Sequence, residues 1–150
     1  MSKKARLGLI TTGQGPRNEY VRYHRNLMWE LGVDVDISMC NAMDGLTRAE
    51  IQEMLSKPGD RYIGSHVHEP GAEGDRMGPG WGRVLTDSKP LVPLFQECLN
   101  SLEDDGVDVT ILCCAEEYPI DAFSSRRAII GPRLVLKEWV RVSTMYMASP

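Results

Sequence analysis

Apolar positions along the chain follow two periods, and the switches between them mark out the elements. Ala5 to Thr11 is a short apolar run that reads as a first strand. It stops at Thr11-Thr12-Gly13-Gln14-Gly15-Pro16-Arg17, where two glycines and a proline dictate a tight loop. With Asn18 as a cap, the spacing predicts a helix from about Glu19 to Leu31. Tyr20, His24, Leu27 and Leu31, flanked by Val21 and Met28, form its apolar stripe, and Gly32 closes it. Val33, Val35 and Ile37 then alternate with Asp34, Asp36 and Ser38, the pattern of a strand near a sheet edge. Thr47-Arg48-Ala49-Glu50 fits a capping box that opens a short helix, which ends before Pro58-Gly59.

Tyr62 to Val67 reads as a weaker strand. From Glu69 to Gly82 the chain carries five glycines and two prolines without an apolar period, which predicts a long exposed loop. Asp87 or Ser88 restarts a helix with Pro90 in its first turn. Leu91, Phe95, Cys98 and Leu102, flanked by Val92 and Leu99, give it an apolar stripe, and Gly106 ends it. Val107 to Cys114 follows as the central strand, an apolar run that delivers two thiols and then Ala115-Glu116-Glu117-Tyr118-Pro119. Ala128 to Ile130 is a further short strand. Gly131-Pro132 opens a last helix with Leu134, Val135, Glu138, Val142 and Met145 near one stripe. Strands alternating with helices predict a single α/β domain over residues 1–150. Its expected form is a three-layer sandwich around a four-stranded, mostly parallel sheet in flavodoxin-like order 2-1-3-4.

Composition narrows the class of function. The chain is 42% hydrophobic and 25% charged, the balance of an ordinary globular protein. A net charge of -4 argues against a general nucleic-acid binder, which would carry a basic face. No apolar run is long enough to span a bilayer, and Leu7 to Ile10 is too short for a signal-peptide core. These features give a cytoplasmic expectation, in which Cys40, Cys98, Cys113 and Cys114 are reduced. Adjacent cysteines on one strand point to opposite faces, so Cys113 and Cys114 are not expected to bridge. No C-x-x-C pair exists to suggest structural zinc.

Three groupings carry candidate chemistry. The first is the end of the central strand, because open α/β sheets build sites outside the carboxyl ends of their strands. Cys114 is expected to be better exposed there than Cys113. A thiol is reactive only when a cation or helix terminus lowers its pKa. Glu116 and Glu117 oppose that, and Arg126 or Arg127 would offset them. The competing reading makes both cysteines small core hydrophobes. The second grouping is Thr11 to Arg17, whose backbone amides, two hydroxyls and Arg17 suit a carboxylate or phosphate. The competing reading is a plain turn joining strand to helix. The third is His66, His68 and Glu69, where a strand would put both imidazoles on one face. The set is incomplete for a metal, so a polar strand end is preferred. Glu19, His24 and Glu30, and the Glu103-Asp104-Asp105 run, read as solvated helix surface.

Several segments together resemble one family. Thr12-Gly13-Gln14-Gly15-Pro16-Arg17 resembles its T-x-G-Q-A-P-R loop, and Ala42-Met43-Asp44-Gly45-Leu46-Thr47 with Glu50-Ile51 resembles its A-L-D-G-L-S-x-x-E-I segment. Lys89 to Gln96 resembles its K-x-x-x-x-x-Q helix, and Ile111 to Pro119 its L-L-C-T-G-E-F-P strand end. The family is AroM-like, related to the aspartate/glutamate racemase superfamily, and the resemblance runs from about residue 7 to 142. It implies a small carboxylate or amino-acid ligand and, in superfamily racemases, no cofactor or metal. Those enzymes pair two α/β halves, with one cysteine from each flanking the substrate. Carried onto this chain, Cys114 is the proton-transfer residue. Thr11, Thr12, Gly13, Gln14, Arg17, Asp44, Ala115 and Glu116 line the ligand.

The chain departs from the family's pattern in three places. The superfamily's second half lies outside these 150 residues, which implies a fragment, a shortened relative, or two copies pairing as a homodimer. Ala115-Glu116 stands where the family has Thr-Gly. The Glu69-to-Gly82 loop is longer than its counterpart. The alternative from another class is a non-catalytic small-molecule-binding or interaction domain.

Overall fold

The protein's computed structural model describes residues 4–60, 62–68, 81–114, 118, 122–132, 135–136, 138, 140–141 and 144. Its elements in chain order are β1 (Ala5–Thr11), α1 (Asn18–Glu30), β2 (Val35–Asn41), α2 (Arg48–Glu53) and β3 (Tyr62–His68). Then come β4 (Trp81–Asp87), α3 (Leu91–Asp104), β5 (Val109–Leu112) and β6 (Ala128–Ile130). Helical positions recur among the described residues between 132 and 144, whereas Leu134, Val142 and Met145 of the expected stripe lie outside them.

The main sheet has four strands in the order β2-β1-β5-β6. β1 pairs in parallel with β2 on one side, Leu7 opposite Ile37, and with β5 on the other, Leu7 opposite Val109. β6 extends the sheet beyond β5, again in parallel. β2 is an edge strand, as its polar alternation predicts. The α/β class and the parallel sheet therefore stand, but one member differs from expectation. Tyr62–His68 is not in this sheet. It pairs antiparallel with β4, a strand that falls partly inside the expected glycine-rich loop. Ile63, Ser65 and Thr86 are buried on the inner face of this hairpin. The third and fourth places in the main sheet belong to β5 and β6 instead. The hairpin wins because a run that alternates inward and outward residues can pair with its sequence neighbour at little loop-closure cost. The same strand displaces the start of α3: Asp87 ends β4, and the helix begins after Pro90.

Strand alternation sends side chains to two faces. On one face Leu7 and Leu9 of β1 meet Tyr20, Val21 and Met28 of α1, along with Val109, Ile111 and Cys113. On the other, Ile10, Leu112 and Cys114 meet Phe95, Cys98, Leu99 and Leu102 of α3. The α3 stripe is buried as its spacing predicts. The α1 stripe is not: no residue of α1 is buried, and Leu27 and Leu31 are exposed. The short α2 carries the capping box read from sequence, with Glu50 N–H donating to Thr47 Oγ1 and Thr47 N–H donating to Glu50 Oε2.

Glu103 corrects the reading of the acidic run as solvated surface. It is buried at the end of α3 and accepts from the Arg126 amide at 2.9 Å, the Arg127 amide at 3.1 Å and the Ser125 hydroxyl. Arg126 Nε lies 2.9 Å from Glu103 Oε2, and its Nη2 lies 2.6 Å from Asp104 Oδ1. This corner ties the segment leading into β6 to α3.

Candidate functional site

The order β2-β1-β5-β6 reverses direction at β1: the chain leaves β1 for β2 and later returns to β5 on the other side. Ligands of open α/β sheets bind at such switch points, outside the carboxyl ends of the strands. β1 ends here at Thr11 and runs into the Thr12–Arg17 loop, which contains a cis Gly15–Pro16 bond. Cys113 and Cys114 follow β5 at the same end, since β1 and β5 are parallel and in register.

The loop is held by polar groups from three elements. Thr11 Oγ1 donates to Asn41 Oδ1 at 2.8 Å, and Asn41 Nδ2 donates to Asp44 Oδ2 at 2.8 Å. The other Asp44 oxygen accepts the Gly15 amide at 2.8 Å. Backbone bonds reinforce this: Ala42 N–H donates to the Thr11 carbonyl at 2.9 Å, and Met43 N–H to the Gly13 carbonyl at 3.1 Å. Gln14 works in the opposite direction. Its amide donates to the His66 carbonyl at 2.9 Å, its Oε1 accepts the His68 amide at 3.0 Å, and its Nε2 reaches the Leu46 carbonyl at 3.4 Å. Gln14 thus adds itself to the free edge of β3 as a strand residue would. Both glycines serve close approach: a Cβ on Gly13 would strike the His66 backbone, and one on Gly15 the Asn41 side chain.

Of the ligand groups expected from sequence, the structure brings Thr11, Thr12, Gly13, Gln14, Arg17 and Asp44 together. It uses Asp44 and Gln14 to build the loop. Asn41 was not singled out, yet it joins Thr11 to Asp44. The signal for it is an amide at the carboxyl end of an edge strand, three residues before Asp44. Ala115 and Glu116 lie outside the described residues.

Arg17 is buried, with Nε 2.6 Å from Glu19 Oε1 and its guanidinium carbon 4.7 Å from the centre of the Tyr20 ring. Its charge also acts on Cys113. Burial, opposed by the Arg17 cation and helped by neighbouring Cys114, leaves the Cys113 thiol raised to about 12. Cys113 is therefore a neutral thiol at physiological pH, neither base nor nucleophile. The exposure of the pair is the reverse of expectation. Cys114 is buried in the α3-side core while Cys113 is half-buried against the α1 side. Local alternation fixes that they point apart. Which face is better covered depends on the helices. Arg126, one of the two cations expected to offset Glu116 and Glu117, is held by Glu103 and Asp104, while Glu116 and Glu117 lie outside the described residues.

The expectation of four reduced cysteines is also corrected: Cys40 and Cys98 are joined by a disulfide, with Cα atoms 5.5 Å apart. Cys40 lies at the end of β2 and Cys98 on the inward stripe of α3, so helix-on-sheet packing brings together two residues 58 apart in sequence. Cys113 and Cys114 are not in a disulfide. Among the described residues no group of three or more His, Cys, Asp or Glu side chains is placed to hold a metal ion, and Glu69 lies outside them.

The sheet order, the helix packed on each face and the polar loop at the switch point define an open parallel α/β domain. The chain belongs to the AroM family: the family model described as AroM protein matches residues 7–146. No curated protein and no solved structure gives a significant match. No helix among the described residues is long and apolar enough to cross a membrane.

Proposed function

We propose that this AroM-family protein binds a small carboxylate or amino acid at the β1/β5 switch point, through the Thr11–Arg17 loop. The observation that carries this reading is the buried Arg17 guanidinium, set within electrostatic reach of Cys113 in a loop whose backbone is braced by Asp44, Asn41 and Gln14. A buried cation in a braced loop can exchange its Glu19 partner for a ligand carboxylate with little movement of the backbone. The reading includes kinship with the aspartate/glutamate racemases and a three-layer fold. The latter is supported by core clusters on both faces of the sheet. In this proposal the protein acts as a binding domain, because Cys114 is buried in the core and the Cys113 thiol is held well above its ordinary range.

Calorimetric titration with L-glutamate, L-aspartate and acetate tests the reading. Arg17→Ala should weaken carboxylate binding at least about tenfold, the loss of one charge-assisted contact, while Arg17→Lys recovers part of it. Unchanged affinity in Arg17→Ala would remove the loop from the site. The catalytic alternative makes Cys114 a base whose partner thiol comes from a second copy of the chain. It requires iodoacetamide to label Cys114 faster than free glutathione at pH 7, an anionic ligand to protect it, and a dimer in solution. Labelling slower than glutathione would eliminate that alternative and leave the binding reading in place.

A further inference from the structure

We propose that Cys40 and Cys98 are a reversible redox-modification site whose state is transmitted to the Thr11–Arg17 loop. The claim concerns the loop's freedom to open, and it holds whichever ligand the loop takes.

The pair is built to close and open without rearranging the fold. Its Cα separation of 5.5 Å falls within the ordinary range for a bridge. One cysteine is on β2 and the other on α3, so sheet packing keeps the two sulfurs adjacent when the bond is absent. The two sulfurs differ in access. Cys98 is buried in the apolar core and Cys40 is only half-buried. An external disulfide such as oxidised glutathione therefore meets Cys40 first. The Cys40 thiolate attacks one glutathione sulfur, the S–S bond breaks, and one glutathione leaves as thiolate. The Cys98 thiolate then attacks Cys40 Sγ of the mixed disulfide and expels the second glutathione. Two protein thiols are oxidised and one glutathione disulfide is reduced to two thiols. Reduction runs the same steps backwards.

What makes the pair more than a staple is the residue that follows it. Asn41 adjoins Cys40, accepts from Thr11 Oγ1 and donates to Asp44, which in turn holds the Gly15 amide. Ala42 and Met43, next along the chain, donate to the Thr11 and Gly13 carbonyls. The end of β2 is thus the anchor of the loop, and the disulfide ties that anchor to α3. Among the described residues β2 is an edge strand with no neighbour on its outer side, so without the bond this end rests on the β1 ladder, on packing and on its bonds to the loop itself. The other two cysteines do not compete for the bond. They are adjacent on one strand end and face opposite cores.

The experiment uses the full chain, equilibrated in glutathione buffers from strongly reducing to strongly oxidising, acid-quenched, and alkylated in denaturant for mass analysis. Amide hydrogen exchange is followed in parallel. Free thiols should step between two and four across the series, since the sequence has four cysteines and two of them are in the bond. On reduction the Gly15, Ala42 and Met43 amides should exchange about tenfold faster, while the Thr110 to Leu112 amides of β5 change less than about twofold. Cys40→Ser and Cys98→Ser should each show the reduced pattern without reductant. Four free thiols at every ratio would overturn the proposal, as would two at every ratio, which marks a permanent cross-link. Equal acceleration in the loop and in β5 would also overturn it, because the bond would then act only on global stability. Carboxylate affinity does not enter this readout, so failure of the proposed ligand leaves the test intact.

Discussion

The two faces of the main sheet are built unequally. On the α3 face, Leu91, Phe95, Cys98, Leu99 and Leu102 are all buried, and a cavity there is apolar and about 10 Å³. Lined by Ile10, Phe95, Leu99, Leu112, Phe123 and Ile129, it offers a water molecule no polar partner. On the α1 face no helix residue is buried, and Tyr23, Leu27, Trp29 and Leu31 are exposed. Stability therefore concentrates on the α3 face. α1 is carried mainly by Tyr20, Val21 and Met28 and by the loop that launches it. A helix held loosely next to the candidate ligand loop can adjust at modest cost, whereas the α3 face is the fixed platform.

Substitutions of matched type should expose this asymmetry. Phe95→Ala on the closed face should cost about 3–5 kcal/mol in urea unfolding, from lost burial and an enlarged cavity. A cost near 1 kcal/mol would mean the α3 face is not the platform. Glu103→Gln should cost about 2 kcal/mol by weakening hydrogen bonds to a buried charge. This position also has a pH signature. Burial raises the Glu103 carboxyl, but the hydrogen bonds from Ser125, Arg126 and Arg127 outweigh it and hold it below its ordinary 4.5. A depressed carboxylate contributes stability that is present above the unfolded pKa and lost as pH falls through the folded one. Acid titration below about pH 4.5 should therefore narrow the gap between wild type and Glu103→Gln; a constant gap would contradict the lowered pKa. On the open face, Met28→Ala should cost only about 1–2 kcal/mol, because the side chain is partly buried. A loss matching that of Phe95→Ala would erase the contrast between the faces. The smallest effect belongs to Trp29→Ser, which should stay within about 0.5 kcal/mol for an isolated chain. Trp29 is 81% exposed, so a larger loss would show that the α1 face is covered in solution.

Part of the candidate site is legible in the chain. Two glycines and a proline after an apolar strand locate the Thr11–Arg17 loop, and the position of Asp44 just past an edge strand brings it to the same end of the sheet. What these residues do there was not legible. Asp44 and Gln14 have the chemistry to hold a ligand, yet their oxygens take the Gly15, Asn41 and His68 donors. Arg17 carries its own counter-ion two residues away in Glu19. A polar side chain in a loop can serve ligand or backbone, and only the distances separate the two uses.

What the sequence determined by itself is set by short-range physics. Apolar period, turn residues and the Thr47–Glu50 capping box place β1, β2, α1, α2, α3 and β6 to within a few residues, because helix and strand register depend on neighbours along the chain. The tertiary structure alone decided which strands share a sheet, since the same alternation in Tyr62–His68 suits either a parallel or a hairpin partner. It alone paired Cys40 with Cys98, buried Glu103 under the Arg126 and Arg127 amides, and covered Cys114 more fully than Cys113. Each of these is a contact between elements distant in sequence, and its energy depends on packing geometry that no local pattern contains.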